Sequence, residues 1–312
     1  MIKIMEKKPE KIADYQNGNV HIQLYEDGTR VMESGDDEFV FDMPTNIDLT
    51  ITNRCTLKCP YCYLGCTENG EIADLNDPVL NTLNEYQELA INLNDLSHDL
   101  WMELSPFLRR MKEQKVFVNG TINQIHFMEH YNRLKFLCDE HLLWGLGVSL
   151  RNPDKEFIEK AKTFQNLVIH VINGLFGPFD IEMLRDHDLK ILILGYKNLG
   201  RGTDYLEKNE WKVKATQRYL KDVLPTLFNH FKVVSFDNLA IEQLSVRELL
   251  TQEEWDEIYQ GDEGTSTFYL DLVTKKFGIS SLASEDEMMP MLDNIRDMFQ
   301  IVKSKAKQLS MV

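Results

Sequence analysis

The sequence predicts an α/β protein built as a partial (β/α)6 barrel, with an N-terminal β-hairpin and a C-terminal α/β extension. Three observations predict it. Short runs rich in Ile, Val and Leu alternate with segments of helical periodicity between residues 46 and 194, and 43% of the 312 residues are hydrophobic, ample for a core. No internal repeat, low-complexity tract or flexible linker interrupts the pattern. Six strand–helix units fall short of a closed eight-stranded barrel, so the parallel sheet is expected to stay open.

Residues 19–33 alternate in polarity about an Asp27-Gly28 turn, which predicts a hairpin. The acidic stretch 33–38 reads as a solvated loop. Strands are expected at 46–52, 88–92, 115–119, 146–150, 167–172 and 189–194, each bounded by Gly, Asn, Asp or Pro. Helices are expected between them at 76–87, 98–113, 124–140, 154–163 and 179–186. The third carries Phe127, Met128, Tyr131, Leu134, Leu137 and Cys138 at helical spacing, which makes Cys138 a core residue. From Trp211 the pattern changes to a long helix ending near His230. Short apolar segments at 233–236 and 239–244 and an amphipathic stretch at 246–259 follow. A hairpin is expected from 268–273 with 277–280, and Met291, Leu292, Ile295, Met298, Phe299 and Val302 mark a closing helix. The chain thus divides into an N-terminal extension (1–43), a barrel core (44–210) and a C-terminal extension packed on the core (211–312).

Lys and Arg number 34 against 50 Asp and Glu, a net charge of −16. That field argues against nucleic acid or an anionic membrane as partner. No apolar run approaches the roughly 18 to 20 residues of a spanning helix, and residues 1–13 are charged throughout without a signal-peptide core. A cytoplasmic location is expected.

Of five cysteines, Cys55, Cys59, Cys62 and Cys66 lie within twelve residues while Cys138 stands apart. Disulfide frameworks spread their cysteines to close loops; a tight cluster in a chain of this kind points to a metal or redox centre. The segment runs Ile51-Thr52-Asn53-Arg54-Cys55-Thr56-Leu57-Lys58-Cys59-Pro60-Tyr61-Cys62, a C-x3-C-x2-C spacing with an aromatic before the third cysteine. It resembles the signature of the radical S-adenosylmethionine (radical SAM) enzymes in spacing, in the aromatic, and in its place after a leading strand.

That resemblance implies a [4Fe–4S] cluster held by Cys55, Cys59 and Cys62, with a fourth iron left open. In the family, that iron chelates the amino and carboxylate groups of S-adenosylmethionine, and reductive cleavage yields a 5′-deoxyadenosyl radical that abstracts hydrogen from a substrate. It further implies Tyr61 beside the adenine and a reducing donor such as a flavodoxin or ferredoxin. Cys66 reads as a spare thiol near the site. A structural zinc knuckle is the rival, although such knuckles usually pair two C-x2-C units and only Cys59 and Cys62 form one.

Other positions match the family in part. In His170-Val171-Ile172-Asn173-Gly174, Ile172 and Gly174 agree with a G-x-I-x-G-x-x-E pattern, while His170 and Gly177 replace its first glycine and its glutamate. Ile172 is expected on adenine, and Ser149 near the ribose or the methionine carboxylate. Asn119-Gly120-Thr121 resembles a family turn. The second strand departs: Gly-Gly-Glu is replaced by the stretch Leu89-Ala90-Ile91-Asn92-Leu93-Asn94-Asp95. Asn92 or Asn94 is expected to supply an amide oxygen and Asp95 a carboxylate, unless Asn94-Asp95 merely caps the next helix.

Ligands in such sheets collect at the carboxyl ends of the strands. Lys197 and Arg201, in a glycine-containing loop, are therefore candidates to hold a carboxylate or phosphate, against the alternative of two solvated cations. Thr121, Asn123, Gln124 and His126 form a polar set that could face the same cavity, with His126 read as a cap or surface residue. Ser235, Asp237 and Asn238 are further candidate substrate contacts. Residues 236–244 and 268–281 are similar to the tail of short radical SAM proteins of unassigned function from bacteria and their phages, and the lack of a second cysteine cluster predicts one cluster only. The expected activity is hydrogen abstraction from a small polar or anionic substrate, nucleotide-like or amino-acid-derived. Peptide or protein modification is one alternative, with the hairpin as an edge for an extended peptide. A non-catalytic protein with a structural Fe–S or zinc site is another.

Overall fold

The computed structural model describes residues 9–94, 96–259 and 261–309. Strands β1 (Lys11–Asn17), β2 (Val20–Tyr25) and β3 (Arg30–Glu33) form a small antiparallel sheet. The expected hairpin is its β2–β3 half. Its third strand is masked in sequence by charged and polar residues among Ile12, Ala13 and Tyr15.

The second sheet begins with the six expected strands: β4 (Asn46–Thr50), β5 (Glu88–Asn94), β6 (Phe117–Asn123), β7 (Gly145–Ser149), β8 (Leu167–Ile172) and β9 (Lys190–Leu194). They pair in parallel, each with the next. The C-terminal segment does more than pack on this core. Its strand β10 (Val233–Phe236) adds in parallel to β9, and β11 (Thr267–Asp271) adds in parallel to β4 at the opposite edge. Eight parallel strands result, continued by the antiparallel β12 (Lys276–Gly278) and β13 (Met289–Pro290). The order β10-β9-β8-β7-β6-β5-β4-β11-β12-β13 is linear among the described residues.

The helices are α1 (His98–Glu113), α2 (Gln124–Glu129), α3 (Tyr131–Asp139), α4 (Lys155–Ala161), α5 (Pro178–Leu184), α6 (Arg201–Leu227), α7 (Asn238–Leu244), α8 (Gln252–Ile258) and α9 (Ile295–Leu309). Four differ from the sequence reading. The expected helix at 76–87 is only a 3-10 turn over Pro78–Thr82, capped by Asp77. The helix at 124–140 breaks at His130 (φ −108, ψ 18) into α2 and α3. The long helix α6 starts at Arg201, bends at Asn209 and so draws the preceding glycine loop into its first turn. Residues 238–244 are helical because Asp237 caps them, accepting from the amide of Ala240.

Strand alternation sorts the side chains. On β5, Leu89, Ile91 and Leu93 are buried, in one core with Leu100, Leu104, Phe107, Leu108 and Met111 of α1. The opposite parity, Glu88, Ala90 and Asn92, looks into a cavity of about 1540 Å³ on the concave side. Cys138 packs against the same core. At the amino ends of the strands the small sheet abuts this cavity: Arg30 pairs with Glu88, Asn166 Nδ2 donates to the carbonyl of Glu26 (2.7 Å), and Lys190 Nζ to that of Asp27 (2.9 Å). No helix of the described residues is long and apolar enough to cross a membrane.

Candidate functional site

Beyond β4 the chain doubles back through a cysteine loop at the carboxyl end of the sheet. Isolated bridges join Thr52 with Ile72 and Arg54 with Thr67, and the amide of Cys55 donates to the carbonyl of Thr67 (2.8 Å). Tight turns follow, Cys62 N to Cys59 O (3.2 Å) and Gly65 N to Cys62 O (3.3 Å), with Gly65 in the left-handed region at φ +65. Cys55, Cys59 and Cys62 keep partial solvent access, whereas Cys66 is buried.

The thiols differ in character. Hydrogen bonding from the Cys66 thiol, outweighing burial, pulls Cys62 below the ordinary thiol value. The same bond and burial push Cys66 up. Burial raises Cys59. Thiolate is the form that ligates metal. Among the described residues, no three His, Cys, Asp or Glu side chains converge on one point as ligands of a single ion would. One Zn²⁺ draws its sulfurs to within about 4 Å of each other, given Zn–S bonds of about 2.3 Å. An iron–sulfur cube asks for something different, one thiolate on each of three irons. Three partly exposed thiols on one short loop are the right donors for that demand.

Four polar side chains brace the loop. Asn92 Oδ1 accepts from the amide of Ile51 (2.8 Å) and its Nδ2 donates to the carbonyl of Thr52 (2.6 Å). Asn94 Nδ2 donates to the carbonyls of Thr52 (3.0 Å) and Arg54 (2.9 Å) and lies 3.7 Å from Cys66 Sγ. Asn94 is therefore loop scaffolding rather than a simple helix cap, and the cap of α1 is Ser97. Asp95 lies outside the described residues. Buried His126 holds Thr56 Oγ1 at Nε2 (3.1 Å) and the carbonyl of Asn94 at Nδ1 (2.6 Å). A carbonyl only accepts, so Nδ1 carries the proton of that bond. Arg201 completes the set: Nε donates to the carbonyl of Cys59 (2.9 Å) and Nη1 to that of Cys66 (3.0 Å). Arg201, expected to hold a substrate anion, has its guanidinium on the carbonyls of the loop.

Tyr61, Asn92, Ser149, Ile172, Lys197 and Asp237 all line the cavity. Tyr61 accepts a hydrogen bond from Arg151 Nη1 (2.8 Å) beneath its ring and meets Tyr205 edge-on. Two expected residues sit elsewhere. Asn123 caps α2 by accepting from the amide of Ile125 (3.0 Å), and Gly174 at φ +94 fits α6, where a Cβ would come within 2.8 Å of Val213. Gln124 accepts from the amides of Arg151 and Asn152, fixing the turn after β7.

The cavity is more acidic than its sequence motifs suggest. Lys197 Nζ donates to Ser281 Oγ (2.8 Å) and stands 4.1 Å over the ring of Tyr63. Burial pulls this ammonium down, but Tyr63, Asp237, Asp48 and Glu263 together push it above its ordinary value. Burial raises all three carboxyl groups. Asp237 also accepts from the amides of Gly195 (2.8 Å) and Ala240 (2.7 Å). His170 is lowered to about 4 by burial and then by Lys197, which leaves a neutral imidazole packed against Gly147. A Cβ on Gly147 would come within 2.3 Å of that ring. Sequence reasoning missed Asp48, Glu263 and His170 as cavity groups. The charged Asp48, between Asn46 and Thr50 on one face of β4, was the available signal.

The chain is similar in fold to the crystal structure of Streptococcus suis SuiB bound to S-adenosylmethionine, with a TM-score of 0.53 and 13% identity over 85% of this chain and 67% of that one. A second Streptococcus suis SuiB crystal structure matches with a TM-score of 0.47 and 14% identity, over 76% of this chain and 60% of that one. No family model matches the chain. No curated protein matches it either. The chain spans about two thirds of the length of the SuiB chain in the first comparison.

Proposed function

We propose that the chain is a radical SAM enzyme acting on a small polar substrate. The observation that carries this reading is the C-x3-C-x2-C loop braced at the carboxyl ends of a parallel sheet, over a cavity, in a fold shared with a protein crystallised with S-adenosylmethionine. A [4Fe–4S] cluster held by Cys55, Cys59 and Cys62 would supply the open iron and the electron that split S-adenosylmethionine into methionine and a hydrogen-abstracting 5′-deoxyadenosyl radical. A reductant of the flavodoxin or ferredoxin kind provides that electron.

The chain's own residues bind and shield. Tyr61, Ser149 and Ile172 line the cavity and would hold the adenosyl group, and Arg151 donates to Tyr61 Oη. The small N-terminal sheet and the aromatic lining restrict water, which a carbon radical requires. Both cations assigned to an anionic substrate are engaged, Arg201 with the loop and Lys197 among three carboxyl groups. The lining therefore favours a substrate bearing positive charge over an anionic one.

Anaerobic reconstitution followed by reduction in the presence of S-adenosylmethionine tests the reading. Brown protein with about four irons and four sulfides per chain, releasing 5′-deoxyadenosine, is expected. Colourless protein holding one zinc overturns it.

A further inference from the structure

We propose that Arg201 is a positioning residue that locks the shape of the cysteine loop and sets a permanent positive charge beside it. The second half of this inference rests on the reading that the loop carries a cluster. Three backbone carbonyls of one loop converge on this residue: Nε reaches Cys59 O (2.9 Å), Nη1 reaches Cys66 O (3.0 Å), and the Arg201 amide reaches Cys62 O (3.1 Å). A guanidinium offers donors in a rigid fork, so one side chain ties the two ends of the loop together.

The backbone around Arg201 is cut to allow that approach. Gly200 sits at φ +51, and a Cβ there would fall 2.4 Å from the carbonyl oxygen of Tyr63 and 3.0 Å from that of Cys62. Only glycine brings helix α6 so close to the loop. One residue beyond, the carbonyl of Gly202 accepts from Tyr196 Oη (2.7 Å), which pins the first turn of the helix from the other side.

Charge follows from the same contacts. Arg30, Arg54 and Arg185 each pair with a carboxylate, whereas among the described residues Arg201 has no carboxylate partner. Its partners are neutral carbonyls, so its full charge remains next to the thiols. A nearby cation favours the more negative, reduced form of a cluster and raises its reduction potential.

Two variants of the full chain separate shape from charge. Arg201→Lys keeps the charge and loses the fork; Arg201→Gln loses the charge. In the metal-free proteins, hydrogen exchange at the amides of Cys62, Gly65 and Thr67 is expected to rise by about tenfold or more in both, as bonds from a charged donor are lost, while exchange in α1 stays unchanged. In the reconstituted proteins, a redox titration followed by electron paramagnetic resonance is expected to give a more negative midpoint for Arg201→Gln and a near-native one for Arg201→Lys. Native exchange in both variants overturns the positioning role, and a native midpoint in Arg201→Gln overturns the electrostatic one. If the unmodified protein takes up no cluster, the functional reading and the charge claim fall together, and exchange alone decides the claim about shape. Should Arg201→Gln not fold, exchange and midpoint in Arg201→Lys carry the test.

Discussion

The two ends of the same parallel strands solve opposite problems. At the amino ends, side chains satisfy one another or neighbouring carbonyls: Arg30 meets Glu88, and Asn166 and Lys190 reach the turn of the small sheet. At the carboxyl ends, Asn92, Asn94, His126 and Arg201 use their polar groups on the backbone of a single loop. The first arrangement closes a cavity. The second satisfies the backbone of a loop on which Cys55, Cys59 and Cys62 stay partly exposed, and an irregular loop is costly to bury unless its amides and carbonyls are satisfied. The difference teaches where this fold puts stability and where it puts chemistry.

The largest expected effect breaks the carboxyl end alone. Replacing Cys55, Cys59 or Cys62 with Ala is expected to abolish iron uptake and 5′-deoxyadenosine formation, with the melting temperature of the metal-free protein little changed. Cys66→Ala is expected to retain the cluster, and loss of iron in that variant would show a different ligand set. Iron and sulfide analysis checks both.

Next in size is the amino end. Arg30→Ala removes the charged partner of the partly buried Glu88, leaving it only the bond from Asn119 among the described residues, and is expected to lower unfolding free energy by about 1 to 3 kcal/mol. Activity per folded molecule is expected to survive. Urea denaturation alongside an activity assay reads the split, and equal loss of both would erase the contrast between the ends.

A smaller effect concerns pH. His170 titrates near 4 in the folded chain, below the 6.5 of a free imidazole, because burial disfavours its charged form. Below 6.5 the unfolded chain binds a proton that the folded chain refuses. Stability from this group is thus full above 6.5 and falls as pH drops toward 4. His170→Gln is expected to flatten that part of the stability–pH curve, measured by chemical denaturation between pH 7 and pH 4.

The smallest effect is on folding by Asp48→Asn. This carboxyl group opens into the cavity and accepts from Asn46 Nδ2 at 3.3 Å. A change within about 0.5 kcal/mol is expected, together with weaker retention of cationic ligands by calorimetric titration.

How much of this was legible follows a simple physical line. The six core strands and the bounds of α1 are written locally, in alternation and helical spacing, and the cysteine loop is written in a twelve-residue motif. What depends on distant partners is not. Arg201 meets Cys59 across 142 positions, and in sequence a cation between glycines looks like a ligand-binding loop residue. Asp48, Asp237 and Glu263 come to one cavity only through the sheet. The segments of β10 and β11 are legible at 233–236 and 268–273, but their parallel pairing with β9 and β4 is not, because it joins residues far apart in the chain. The departure at Asn92 and Asn94 is visible in the sequence, but its use as loop scaffolding appears only once β4 and β5 lie side by side.

The pairing of β11 with β4 also orders events during synthesis. The strand that launches the cysteine loop has a bare edge until residues 267–271 emerge from the ribosome, because Thr45 bonds to Ser266 and Leu272 to Thr50 across more than 200 positions. A nascent chain arrested before residue 266 is expected to show fast hydrogen exchange along β4, and slow exchange there would refute this order. The footing of the cysteine loop is thereby completed only after residue 271 has emerged, so the loop takes its final shape long after its own residues are made.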